Sequence, residues 1–522
     1  MKKKFFAGIT AVVLSAVLLA GCSAANMGDS AHRPGVPDWE GSHGDMYDPA
    51  GTPNGGTGDA SPDNPSFIPG PGIDESGTQS AEQTSYLSLD RNTAGYTLMR
   101  SQVYANKFVS STVRVEELYN YFDYDYPAPE AGEGVKATAY LSDCPWNAEN
   151  KLLTIGLKTE QRVLEKTRNN YVFLVDVSGS MRMYINTESG RTQCLDLVKY
   201  GIKTLVEGLS SRDSVSIVTY ASKIQTVLEP TFASEAGKQE IINAVDGLAA
   251  SGATNGSGGL ELAYENAEKY YSEDGNNRVI LLSDGDFNTG ITDTNKLKAL
   301  ISEKAKSGVY LSVMGVGMSS KQDPLMETLA RNGNGNYAFI DTEREARKAF
   351  CEELNGTLIT VLKDAKASVT FNPEQVASYR MVGYDTKTIS KDDFENPGKD
   401  TGEVGSDLCV STVYEVTLAP AAEDNAEIAE VLVRFKDPKT DESKEVRTKA
   451  YNTNTDSKDI AFIACVAEFG LVIRNSQYKG TASVRNVINR LWTMGAYLET
   501  DEYKQEFLEI AKKAQDQGYY GN

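Results

Sequence analysis

The chain has 522 residues, with 73 acidic against 52 basic side chains, a net charge of −21 and 40% apolar residues. At roughly 100–200 residues per domain this length suggests two to four domains, each able to bury a core. The acidic balance argues against a phosphate-binding surface, because nucleic-acid affinity comes mainly from clustered Lys and Arg, and no nucleic-acid partner is expected. The only two histidines, His32 and His43, lie in a Gly/Pro-rich stretch near the start. That leaves no Ser-His-Asp or Cys-His centre and no histidine-ligated zinc in the folded part.

Residues 1–22 read as a targeting segment. Lys2, Lys3 and Lys4 precede an apolar run over 5–19, too short for a membrane span of about 20 residues. Leu19-Ala20-Gly21-Cys22 resembles a bacterial lipobox, which implies cleavage before Cys22, acylation of its thiol, and an exported protein lipid-anchored to a bacterial membrane and facing outside the cytoplasm. Residues 23–82 hold eight of the 17 prolines and few branched apolar side chains, a composition that cannot offset chain entropy and predicts a disordered tether. Beyond Cys22 the cysteines are Cys144, Cys194, Cys351, Cys409 and Cys465, scattered and without a C-x-x-C pair. They are expected to be mostly buried free thiols, and their spacing assigns no disulfide.

A flanking region over 83–167, with a helix and β-strands, leads into an α/β pattern over 168–356. There, strand-like runs at 171–177, 214–220, 278–283, 310–317 and 337–340 alternate with helical stretches near 192–209, 236–248, 257–272, 294–307, 323–331 and 342–355. Continuous apolar strands such as Val172-Phe173-Leu174-Val175 suit a sheet covered on both faces. The fold class is therefore α/β, a doubly wound, mostly parallel sheet, whose ligands bind where strands end. A β-rich region and a helical C-terminus flank it. Residues 357–522 are expected to form strands and then helices. Runs at 136–141 and 151–157 before the α/β unit, and at 367–371, 411–418 and 429–435 after it, are expected to pair as one antiparallel sheet or sandwich. The α/β unit would then be inserted between its halves.

The polar residues at the strand ends carry the chemistry. Asp176-Val177-Ser178-Gly179-Ser180 follows the first strand, Ser251-Gly252-Ala253-Thr254-Asn255 precedes a helix, and Ser283-Asp284-Gly285-Asp286 closes the strand at 278–283. This set resembles the von Willebrand factor type A domain and its metal-ion-dependent adhesion site, whose pattern is D-x-S-x-S, a loop threonine and a later aspartate. The resemblance assigns Asp176, Ser178, Ser180, Thr254 and Asp284 as metal ligands, some through water. Three neutral hydroxyls and two carboxylates suit Mg2+, a small ion that takes six oxygens, with Mn2+ or Ca2+ as alternatives. By itself, D-x-S-x-S also reads as a polar strand-to-helix turn with capping residues. Asp284 to Asn288 imitates the start of a calcium loop, but glycine falls at position seven and no glutamate at twelve, so an EF-hand is not predicted. No G-x-x-x-x-G-K-[ST] follows the first strand, so no nucleotide is expected.

The likeness continues outside this unit. Residues 113–127, Ala467-Glu-Phe-Gly470 and Tyr478-Lys-Gly480 resemble a bacterial A-domain lipoprotein family often labelled calcium-activated chloride channel-like, over about residues 85–520. The apolar segment 460–473 contains Glu468 and has the length of a buried helix, not a membrane span. The tyrosine-rich 119–126 segment is read as seating a helix against a sheet, with an exposed recognition patch as the alternative. Together these imply a membrane-anchored envelope protein that binds a protein ligand whose Glu or Asp completes the metal's coordination, and that is not an enzyme. A metal-dependent hydrolase with Asp286 as its base, or an assembly scaffold with a structural metal, are the competing readings.

Overall fold

The computed structural model describes residues 68–69, 83–109, 113–162, 168–187, 190–253, 257–273, 275–285, 294–317, 323–353, 359–384, 387–399 and 401–520. The targeting segment with Cys22 lies outside them, as do Thr254, Asp286 and all of the proposed tether except Ile68–Pro69.

A six-stranded sheet occupies the middle of the chain. Its spatial order is Tyr337–Ile340, Val309–Val316, Asn276–Ser283, Asn169–Asp176, Ser214–Tyr220 and Ile224–Phe232. The first five run parallel and the last is antiparallel. Every residue of Asn276–Ser283 and Ser214–Tyr220 is buried, because helices cover both faces of the sheet. The α/β, mostly parallel fold is as expected. The antiparallel edge strand is an addition: Pro230 and its alternating exposed residues mask it in sequence, and an edge position tolerates the proline. The helix expected over 342–355 is observed as Glu343–Arg347 followed by a π-helical turn, Lys348–Glu353. That wider turn lays Phe350 against Gly201, where a Cβ would come within 2.4 Å of its ring.

Strands from before and after this unit pair with one another. One antiparallel sheet has the order Ile68–Pro69, Val376–Met381, Cys409–Leu418, Lys151–Thr159 and Val135–Asp143. A second has the order Gly402–Gly405, Thr360–Phe371, Glu427–Lys436 and Ser443–Tyr451, with Thr84–Ser88 also on Thr360–Phe371. The two share one core, in which Phe371 stacks on Tyr379 at 4.0 Å between ring centroids and meets Tyr414 edge-on. The α/β unit is thus inserted between segments that pair with each other. Ile68–Pro69, in a stretch expected to be disordered throughout, adds backbone pairing to the free edge of Val376–Met381.

The helix Lys458–Ile473 is buried in this core with Glu468 fully enclosed and paired to Arg490. No helix among the described residues is long and apolar enough to cross a membrane. Tyr119, Tyr121, Phe122, Tyr124 and Tyr126 are all buried, so this segment is packing and not a recognition patch. Cys144, Cys194, Cys409 and Cys465 are buried and Cys351 half-buried, all as free thiols.

The helix Ala94–Tyr104 joins the two parts. It sends Ala94 and Leu98 into the α/β core, and Tyr96, Met99 and Val103 into the flanking core. Between them Arg100, fully buried, donates to Asp341 (Nε to Oδ2, 2.9 Å), Glu345 (2.8 Å), Glu506 (2.7 Å) and the Tyr121 hydroxyl (3.1 Å). Asp341 follows the edge strand Tyr337–Ile340 of the central sheet, Glu345 belongs to the helix Glu343–Arg347 after it, and Glu506 to the last helix, Glu502–Gln517. Removing the cation would strand buried carboxylates, so Arg100→Gln is expected to cost about 3–5 kcal/mol in chemical denaturation.

Burial pushes the Asp341 carboxyl up to about 7 in spite of Arg100, with Glu345 and Glu506 adding to the rise. In the unfolded chain this group titrates near its ordinary ~3.9. The folded state therefore keeps a proton that the unfolded chain has released, and the group's stabilising contribution is full below ~pH 4 and lost as pH rises through about 7. The denaturation midpoint should fall over that window, and Asp341→Asn should flatten the fall.

Candidate metal centre

The chain leaves the sheet from Asn169–Asp176 toward Ser214–Tyr220 on one side, then returns to Asn276–Ser283 on the other. The crevice between Asn169–Asp176 and Asn276–Ser283 is thus a topological switch point, where open α/β sheets hold their ligands. Asp176 ends the first of these strands and Asp284 follows the second; both are buried, at 0% and 5% exposure.

Local hydrogen bonds set the site. The Ser178 amide donates to Asp176 Oδ1 (2.8 Å), which turns the chain sharply out of the strand. The Ser178 and Ser180 hydroxyls lie 2.9 Å apart, at the start of the short 3-10 helix Gly179–Arg182. Ser283 Oγ donates to Asp176 Oδ2 (3.3 Å) and accepts from the Gly285 amide (3.0 Å). The Ser251–Ala253 loop is pinned across the same end: Ser251 N to Val177 O (2.6 Å), Gly179 N to Gly252 O (2.9 Å), and Ala253 N to Ser222 Oγ (2.9 Å). Four of the five expected ligands, Asp176, Ser178, Ser180 and Asp284, therefore gather at one sheet end. Thr254 lies outside the described residues, next to the pinned loop in sequence.

Burial raises the Asp176 carboxyl to about 6 against the opposing hydrogen bonds from Ser178, and the neighbouring charge of Asp284 adds to the rise. The partners that hold it are an amide and hydroxyls; among the described residues no basic side chain forms an ion pair with it. A buried carboxylate with only neutral donors, beside a second carboxylate and two hydroxyls, is a donor set that a hard divalent cation fits. Two carboxylates and two hydroxyls at one sheet end make this oxygen set the candidate centre; among the described residues no group of three or more His, Cys, Asp or Glu could hold a metal.

Two neighbours were not singled out from sequence. Ser283 anchors Asp176, and the Tyr220 hydroxyl faces Asp176 and Ser283, its pKa driven well up by burial. The available signal was register, since Asp176 lies opposite Tyr220 on adjacent strands. Gly252 is a third such residue. Its φ of +81° is one that side-chain-bearing residues rarely adopt, and a Cβ there would come 2.4 Å from Ser222 Oγ. Gly252→Ala should cost about 1–2 kcal/mol in thermal denaturation while the sheet stays folded by circular dichroism.

Comparison with known families matches three segments. Residues 170–353 match the von Willebrand factor type A domain, residues 73–154 a von Willebrand factor model, and residues 356–516 the C-terminal region of the uncharacterized protein YfbK. The chain is 35% identical to YfbK of Escherichia coli strain K12 over 458 residues, covering 82% of this chain and 77% of that one. It is 23% identical to human inter-alpha-trypsin inhibitor heavy chain H4 over 271 residues, 49% of this chain and 28% of the human one. Among solved structures, a von Willebrand factor type A protein from Catenulispora acidiphila aligns over 72% of this chain and 89% of its own, at 16% identity and a TM-score of 0.39. The matched flanks carry von Willebrand and YfbK descriptions in place of the chloride-channel label.

Proposed function

Since the chain belongs to the YfbK family and carries a von Willebrand factor type A domain, an interaction or adhesion role follows, and we propose that it binds a protein partner through a divalent cation. The observation that carries this is Asp176: a buried carboxylate at the switch point, held by neutral donors beside Asp284. Asp176, Ser178, Ser180, Thr254 and Asp284 would hold Mg2+, with Mn2+ or Ca2+ as alternatives. The bound cation would supply a Lewis-acidic position for a Glu or Asp of the partner. The chain's own part is to keep Asp176 oriented through Ser178 and Ser283, and to hold the Ser251–Ala253 loop in place. Nothing in this arrangement asks the protein to activate water, and we assign it no enzymatic role.

Asp176→Ala should abolish Mg2+ binding in calorimetry with the sheet intact by circular dichroism; unaltered affinity would refute the assignment. Thr254→Ala should weaken metal-dependent capture of a partner about tenfold, roughly 1.4 kcal/mol, and chelation of the wild type should weaken it at least as much. Equal capture in Mg2+ and in chelator would leave the cation a structural role only.

The same proposal places the protein outside the cytoplasm on a bacterial membrane, tethered through acylated Cys22. The lipobox-like Leu19-Ala20-Gly21-Cys22 supports it. Cys22→Ser should move the protein from the detergent phase to the aqueous phase in phase partitioning; retention in detergent would refute the anchor.

A further inference from the structure

The second antiparallel sheet carries a cavity of about 300 Å³, bordered by the short helix Lys391–Glu395 and Pro397 beyond it. Strand register sets its floor. Lys366 lies opposite Arg434 and Arg434 opposite Glu445 on three adjacent strands, with Lys436 opposite Ser443 nearby. Ala365, Ala367, Val433 and Phe435 belong to the shared core, so the alternate residues Lys366, Arg434 and Lys436 face away from it, toward the cavity.

Four cations and three acids line this space. Three of the cations are answered. Arg434 pairs with Glu395 (2.8 Å) and Glu445 (2.6 Å), and Lys436 with Asp364 (2.7 Å). Lys444 donates to Gly132 O (3.1 Å), with Asp437 at 3.9 Å. Lys366 forms no ion pair among the described residues. Its Nζ donates to the Asp393 (3.1 Å) and Asn396 (2.8 Å) carbonyls at the end of the short helix, which uses two of its three N–H groups. The residue is only 5% exposed. The buried Phe394 ring has its centroid 5.7 Å from Lys366 Nζ and 4.8 Å from the Arg434 guanidinium carbon. Lysine is seldom buried unless paired, and burial, with Arg434 and Lys436, pulls this amine below its ordinary pKa against Asp364 and Glu395. Capping of the helix accounts for the two carbonyl bonds, but not for the open volume or the unanswered charge.

We propose that this cavity binds a small monocarboxylate with an apolar body. The carboxylate takes the remaining N–H of Lys366 and supplies the missing charge, while the apolar part lies against Phe394 and Pro397. The volume stands at the lower end of ligand cavities, roughly 300–1,000 Å³, so the ligand is small. The three acids set the selectivity. Asp364, Glu395 and Glu445 line the same space, so a dianion such as phosphate meets repulsion that a single charge held on Lys366 largely escapes. The site lies in the flanking sandwich and needs no metal, so it stands apart from the reading of Asp176.

Calorimetry and ligand-observed NMR test this on the full chain, titrated with benzoate, phenylacetate and 4-methylpentanoate in the presence of chelator, so that no carboxylate can bind through a metal. The corresponding amides and inorganic phosphate are the controls. At least one carboxylate should bind saturably, with its amide about tenfold weaker or more and phosphate weaker than either. Lys366→Met keeps the apolar stem and removes the charge, and should weaken that carboxylate about tenfold or more. Ser443→Tyr, at an exposed position of the lining, should weaken it similarly by filling the cavity; it leaves the bonds of Lys366 in place and carries the test if Lys366→Met fails to fold. No saturable carboxylate at millimolar concentration would overturn the proposal. So would equal affinity for carboxylate and amide, phosphate bound more tightly than every carboxylate, or a folded variant that binds as tightly as wild type.

Discussion

A single buried guanidinium holds the two halves of this molecule in register. Arg100 takes one acid from the end of the central sheet, one from the helix that follows it and one from the last helix of the chain, with Tyr121 on a further hydrogen bond. Only a planar cation with five donors can serve so many directions at once, and lysine would not replace it. Three carboxylates around one arginine cannot all stay ionised cheaply in a dry site, which is why Asp341 holds its proton to higher pH. Lys348 adds a second cation at the same joint, donating to Tyr121 O and lying 3.7 Å from the Tyr121 ring centroid. The inserted unit is thereby fixed to the sandwich by directed charges as well as by the apolar residues of Ala94–Tyr104.

That rigidity matters for the opposite use of charge at the switch point. At the joint, buried carboxylates are answered by protein cations. At Asp176 the partners among the described residues are an amide and hydroxyls, and burial raises the carboxyl to about 6. The contrast separates a cluster closed by protein cations from the site proposed above to take one from solution. Hydrogen bonds from the Ser251–Ala253 loop and from Ser283 keep the oxygens in position.

Much of this was legible in the amino-acid order. The continuous apolar strands and amphipathic helices over 168–356 specify a doubly wound sheet, because only a sheet covered on both faces can use strands with no polar side. The motif D-x-S-x-S and the aspartate at 284 fall at strand ends, and a doubly wound sheet brings such ends together by construction. The length of 460–473 and the aromatic spacing of 119–126 were enough to read them as packing. What stayed hidden was polar or short. Ser443–Tyr451 carries alternating charged residues on a half-solvated edge, and Tyr184–Thr187 is too brief to show a period.

Sequence alone determined the fold class and four residues that share one sheet end, since local periodicity and motif position are one-dimensional properties. Tertiary structure alone decided the rest. That Arg100 meets Asp341, Glu345 and Glu506 depends on contacts spanning 241 to 406 residues, which no local pattern encodes. That Ser283 and Tyr220 brace Asp176 depends on strand register, and that no cation among the described residues pairs with Asp176 depends on which side chains the packed elements bring near it. Burial and charge balance are sums over neighbours distant in the chain, so they come into being only when the chain has folded.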